Sequence, residues 1–205
     1  MKKTAIFLFF LFSIHVRAGN FNQFFPRIIR AEGVRFTITQ YDKGGATKFG
    51  ITLMTYKDYC HSQLSFCDKN GDRVLNAFDL SLTTLNDVKP IYKQNYWNRV
   101  KADEVQNQAV AEILTDIVIN CGFKQGSNHI KFVQKSLKIK PTGLLDKRTI
   151  SKINKANSRK VYLTIYEYRN GYYKKIGVGK QSKFLKGWLN RIKNLKKEHE
   201  KLHYI

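Results

Sequence analysis

Apolar and polar positions along this chain recur mostly with the period of an α-helix. Phe21, Phe24, Phe25, Ile28 and Ile29 fall at i, i+3, i+4, i+7 and i+8, which lines one helical face. Pro26 lacks an N–H and suits a first turn, so the spacing predicts a helix that begins near Pro26 and stops at Glu32-Gly33. Residues 34–50, with Gly44, Gly45 and Gly50, read as short extended or irregular backbone. A polar loop over 68–76 precedes a helical stretch over about 79–97. Val110, Ile113, Leu114, Ile117 and Val118 repeat the helical spacing on a broad face, predicting a central helix that ends at Gly122. Further helices are predicted over about 127–137, 146–156, 158–175 and 183–201. The last is marked by Leu185, Trp188, Leu189, Ile192 and Leu195. Strand signal is sparse, and there is neither a repeat of fixed period nor a long low-complexity linker. The fold class is therefore mainly α.

The first eighteen residues break this pattern. Lys2 and Lys3 give a positive start, Ala5 to Ile14 is an almost unbroken apolar run, and Val16-Arg17-Ala18 offers small residues where a signal peptidase reads. About ten apolar residues are too few to span a bilayer, which takes about 20. A leader cleaved after Ala18 is expected, leaving a protein exported to the periplasm or beyond. No later segment is long and apolar enough to span, so stable membrane insertion is not expected.

Length and charge sharpen the division of the chain. Its 205 residues allow one domain or two small ones, and a 42% hydrophobic fraction supports a buried core. The net charge of +22 is unevenly placed: residues 19–123 carry 12 basic and 11 acidic side chains, whereas 124–205 carry 22 basic and 4 acidic. A field of that size concentrates polyanions, and salt screens it. Export points to wall polymers or anionic membrane rather than nucleic acid. The asymmetry suggests a first domain over 19–107 and a basic helical domain over 108–201, each chain acting as a monomer. Of three cysteines, Cys60 and Cys67 can close a short disulfide loop and leave Cys121 unpaired; three buried thiols fit equally well.

Candidate chemistry begins with Glu32, Asp42 and Thr47. A Glu at the C-terminal end of an apolar helix sits where burial and the negative helix end disfavour its ionised form, as a proton donor requires. Asp42 lies ten residues on, beside Gly44-Gly45, where bare backbone admits close approach of a sugar ring. Thr47 can help Asp42 hold a water. By spacing alone, a solvated helix end and a turn aspartate fit the same residues. The run Glu32-Gly33 with Asp42-x-Gly44-Gly45-x-Thr47-x-x-Gly50-Ile51-Thr52 resembles the signature of glycoside hydrolase family 108, the N-acetylmuramidases, and is similar to the Glu, Asp, Thr triad of phage-type lysozymes. Tyr92, Tyr96 and Trp97 resemble that family's Tyr-x-x-x-Tyr-Trp segment. The resemblance implies a lysozyme-like α domain with a small β region and a glycosidase that cuts peptidoglycan between N-acetylmuramic acid and N-acetylglucosamine. It places the catalytic acid at Glu32 and accessory roles at Asp42 and Thr47. The family's second glycine and following aromatic are replaced here by Val34-Arg35-Phe36.

A second constellation is Asp68, Asn70, Asp72, Val74, Asn76 and Asp79, at positions 1, 3, 5, 7, 9 and 12 of a calcium loop. It resembles an EF-hand or dockerin-type loop and suggests a structural Ca²⁺, with no cofactor needed for catalysis. Arg73 stands where such loops carry Gly, and position 12 is Asp rather than Glu; a solvated acidic loop is the alternative. In the basic half, Gln134, Leu137, Gly143, Asp146 and Thr149 resemble the pattern of peptidoglycan-binding modules. Residues 184–191 resemble the Gly-Trp-x-Asn-Arg segment that closes the module following this family's catalytic domain, with Trp188 read as core. A non-catalytic polycation that binds wall polymers, anionic membrane or nucleic acid is the rival function.

Overall fold

A computed structural model of the chain describes residues 18–38, 45–61 and 64–205. The expected leader, apart from Ala18, lies outside the described residues. The architecture is mainly α with one small three-stranded sheet.

Helix α1 (Phe21–Glu32) starts five residues before Pro26, because the side chain of Asn20 caps it by accepting from the N–H groups of Asn22 and Gln23. Pro26 therefore sits inside the helix. The carbonyl it leaves without a donor belongs to Asn22, which is exposed and can be served by water. The reward is burial of the whole apolar face: Phe21, Phe24, Phe25, Ile28 and Ile29 are all buried.

Strands β1 (Thr37–Ile38), β2 (Ala46–Lys48) and β3 (Ile51–Thr52) pair antiparallel in that order. The β2–β3 connection is Phe49-Gly50, both at positive φ (51° and 74°), the conformation that matches the twist of a tight hairpin. Thr52 then caps α2 (Leu53–Cys60), a helix absent from the sequence reading because only Tyr56, Tyr59 and Cys60 form its buried face. Cys60 and Cys67 are disulfide-bonded across the turn to α3 (Leu64–Cys67), and Cys121 is free. The stretch expected as one helix over 79–97 is divided. Helix α4 (Ala77–Leu82) stops at Thr83, and α5 (Leu85–Tyr92) starts afresh from a capping box at Thr84 and Asp87 before running into a π-helical turn, Lys93–Trp97.

Helix α6 (Gln108–Ser136) is broken at Gly122, where φ is 64°, so the two helices expected on either side of that glycine are contiguous. Every residue from Ala109 to Val118 is buried, which makes this helix the axis of the molecule. Helices α7 (Lys147–Lys155), α8 (Ser158–Ile176) and α9 (Ser182–Lys201) follow near their expected bounds. One hydrophobic core runs from Phe21 to Ile165 across the boundary expected near residue 108, and Leu195, Tyr204 and Ile205 pack against it. No helix among the described residues is long and apolar enough to cross a membrane.

Candidate active site

Glu32 is the last residue of α1, and Gly33 ends the helix at φ 82° while its N–H bonds back to Ile29 at 2.9 Å. The aromatic floor beneath α1 sets the position of that end. Trp97 is fully buried against Phe24 at 5.1 Å and Phe21 at 5.7 Å, with its indole N–H donating to Asp103 at 2.6 Å. Tyr92 packs on Phe25 at 5.9 Å and donates to the carbonyl of Phe49 at 2.8 Å, tying the hairpin turn to α5.

Gly50 lies directly on Glu32. A Cβ there would come within 2.7 Å of the Glu32 Cβ, 2.8 Å of its Cγ and 2.7 Å of the Tyr92 hydroxyl. Bare backbone at this point is thus a steric requirement. Burial pushes the Tyr92 hydroxyl pKa well up, and the charge of Glu32 adds to it. Tyr96 is raised in the same way, against a hydrogen bond from Thr55 that lowers it. The two tyrosines that resemble the family segment therefore sit within electrostatic reach of Glu32. Thr47 lies on β2, three residues before Gly50 and opposite Thr37 and Thr52 in register. Asp42 lies outside the described residues.

An arginine from the far end of the chain faces Glu32. Arg191, on α9, places Nη2 2.7 Å from Oε1 of Glu32 and 2.7 Å from Oδ1 of Asp116, with Nε 3.0 Å from the same Oδ1. The aligned hydrogen bonds go to Asp116; the Glu32 contact is an ion pair, and Oε1 accepts no aligned N–H. Asp116 Oδ2 in turn meets Arg169 at 2.8 Å, and Arg169 donates to the Tyr173 hydroxyl at 2.8 Å. Burial alone would raise the Asp116 carboxyl, yet Arg191 and Arg169 outweigh it and bring the pKa down to about 2. One turn earlier on α6, Glu112 is fully buried and pairs with Arg27 and with His199, whose other ring nitrogen is 3.0 Å from the Tyr162 hydroxyl. Sequence reasoning missed this network. Its signal was present: two acids four residues apart in an otherwise apolar helix have to find partners.

Beside the network, between α1, α6 and α9, lies a cavity of about 570 Å³ bordered by Arg27, Arg30, Asn120, Asn194 and Trp188. Trp188 is only partly buried and stacks on Phe184 at 5.8 Å, which corrects its reading as core. The helical spacing is right, but α9 is an outer helix whose inward face is filled by Ile192 and His199, with Arg191 beside them.

The loop over 68–79 closes on itself. Asp68 accepts from the N–H groups of Gly71 and Arg73, Asp72 from Val74, and the fully buried Asp79 from Lys69 and Asn76. Arg73 takes the positive φ (65°) that glycine usually supplies, and Asn76 caps α4 in a capping box with Asp79. Asn70 donates to Asp72 at 2.7 Å. Each of these carboxylates accepts at least one backbone N–H, and no set of three or more His, Cys, Asp or Glu side chains among the described residues is grouped to hold a metal ion. The Gln134 pattern also has a structural use. Buried Gln134 donates to Thr142, Thr149 and the Leu144 carbonyl and accepts from Gly143, knotting the turn before α7, which Asp146 caps.

Comparison with known proteins bears on the fold and the family. No curated protein matches the chain. Among solved structures, "Structure of Brucella abortus SagA" is similar, with 25% identity and a TM-score of 0.67, covering 87% of this chain and 92% of that one. The likeness thus reaches into the basic C-terminal helices. The model of the family described as glycosyl hydrolase 108 matches residues 25–122, from the buried face of α1 to the break in α6. That segment, which contains Glu32, the Gly50 turn and Asp116, is similar to glycosyl hydrolase family 108, and the likeness supports a glycosidase.

Proposed function

We propose that the protein is an exported muramidase that hydrolyses the β-1,4 bond between N-acetylmuramic acid and N-acetylglucosamine in peptidoglycan. Glu32 is the general acid. Its proton passes to the glycosidic oxygen as the C–O bond breaks, and the sugar left behind carries oxocarbenium character. Asp42 and Thr47 act on the other side of that centre, holding water or the developing charge. The observation that carries this reading is the carboxyl of Glu32 at the end of the buried helix α1, with glycine backbone pressed on its stem.

The basic half supplies wall affinity in this reading. Lys174, Lys175, Lys193 and Lys197 are exposed on α8 and α9 and suit the phosphate and carboxylate groups of wall polymers. The cellular role is lysis of a host wall or local remodelling of one. Clearing of a peptidoglycan suspension by the wild type beside Glu32→Gln tests the assignment. The amide cannot donate a proton, so activity should fall to below about a hundredth, since positioned general acids contribute about 10²–10⁴-fold. A folded variant that keeps more than this removes Glu32 from the role.

A further inference from the structure

We infer that Arg191 is a positioning residue for catalysis: it holds the Glu32 carboxyl by Oε1 and neutralises the carboxylate left when Glu32 gives up its proton. The inference rests on the assignment of Glu32 as the acid. It makes α9, in the basic half, part of the catalytic apparatus as well as of wall binding.

Charge and geometry separate this role from simple neutralisation of Asp116. Asp116 already has one buried cation, Arg169, at 2.8 Å, and Arg169 is itself fully buried. A second arginine at the same carboxylate is in excess by one charge unless Glu32 balances it. The carboxylates acting on Arg191 are those two, Asp116 and Glu32, and together they outweigh burial to raise its pKa. Two acids and two arginines from α1, α6, α8 and α9 then sum to zero when Glu32 is ionised and to +1 when it is protonated. Proton transfer to the leaving oxygen breaks the O–H bond of Glu32, forms one on the departing hydroxyl, and restores neutrality in the cluster. A fixed cation at a developing negative charge lowers the barrier to that step, because it needs no reorganisation as the charge appears.

The same geometry decides which oxygen carries the proton. A guanidinium has N–H donors and no acceptor. A proton on Oε1 would face one at 2.7 Å, so the acidic hydrogen belongs on Oε2. Oε1 is buried while the Glu32 side chain as a whole keeps 19% of its surface, so its exposure comes through other atoms. Arg191 can serve as an anchor because it is itself held, with Nε and Nη2 both bonded to Asp116 Oδ1 at 3.0 and 2.7 Å.

The test uses the full chain and short soluble glycan oligomers, which need no wall anchoring. Arg191→Ala should lower kcat by about 10- to 100-fold with KM little changed, the scale on which a misplacement of about 1 Å acts. Guanidinium chloride at a few tens of millimolar should restore part of that rate in Arg191→Ala and none in Glu32→Gln. Arg191→Lys, which keeps the charge and loses the fork, should fall between wild type and Ala. Should Arg191→Ala fail to fold, Arg191→Lys decides alone: reduced kcat at constant KM supports the role, and unchanged kcat overturns it. A folded Arg191→Ala with wild-type kcat, or with activity that guanidinium does not restore, also overturns it. If Glu32→Gln is inactive and both Arg191 variants are normal, this inference fails and the assignment of Glu32 stands. If Glu32→Gln is active, the assignment itself fails.

Discussion

Gly50→Ala tests the steric seat of Glu32, and its cost can be worked from the contacts. Gly50 has φ 74°, a left-handed conformation that costs an L-residue about 1–2 kcal/mol. The new methyl would also lie 2.7 Å from both the Glu32 Cβ and the Tyr92 hydroxyl. Neither can yield cheaply. The Glu32 Cβ is fixed to the backbone of α1, and Tyr92 is 1% exposed with its hydroxyl bonded to Phe49. Forcing a methyl into a filled site costs about 1–3 kcal/mol. The expected destabilisation is about 2–5 kcal/mol, a fall in Tm of roughly 4–20 °C for a chain of this size. Gly45→Ala is the control for stability, because Gly45 has φ 67° and nothing among the described residues within 4 Å of its Cβ position. It should show the backbone strain alone, about 1–2 kcal/mol, in the thermal melt. Thermal melts and turnover on soluble glycan oligomers are measured side by side. Equal melting temperatures for the two variants, or full activity in Gly50→Ala, would refute the claim that Gly50 is bare in order to seat Glu32.

Acid stability reports the buried network. The Asp116 carboxyl is held at about 2, below its ordinary value near 4, so its contribution is complete above about pH 4 and is lost as the pH falls towards 2. Melting temperature should decline over that window, and Asp116→Asn should flatten the decline; an unchanged slope in the variant would count against it. A structural Ca²⁺ in the loop over 68–79 should make the melting temperature fall in chelator and recover in millimolar calcium. A melt unchanged in chelator and in millimolar calcium would retire the site. Replacing Lys174, Lys175, Lys193 and Lys197 with Gln should spare turnover of soluble glycan and weaken, together with its salt dependence, action on intact walls. Lys196 is left in place because it pairs with Glu200 at 2.6 Å and lies over the Tyr166 ring. Equal loss on both substrates would end the anchoring idea.

Much of the secondary structure is legible in one dimension because a helix that buries one face must repeat apolar residues at its own period. That is why α1, α8 and α9, and the glycine that breaks α6, were placed from the chain alone. The Glu-Gly and Asp-x-Gly-Gly runs likewise pointed to the family that the comparison bears out, since a motif of near-contiguous residues is readable in one dimension. Local rules failed where a longer-range requirement outweighed them. Pro26 argued for a later start to α1, but burying Phe21 and Phe24 against Trp97 favours the full helix. Trp188 had the spacing of a core residue, yet how deeply a helix lies depends on what covers it. The contact between Arg191 and Glu32 joins opposite ends of the chain and exists only because α9 folds back over α6. Buried charges require partners, so the sequence of α6 demanded cations for Glu112 and Asp116; only packing four helices together could decide that one of those cations also meets Glu32.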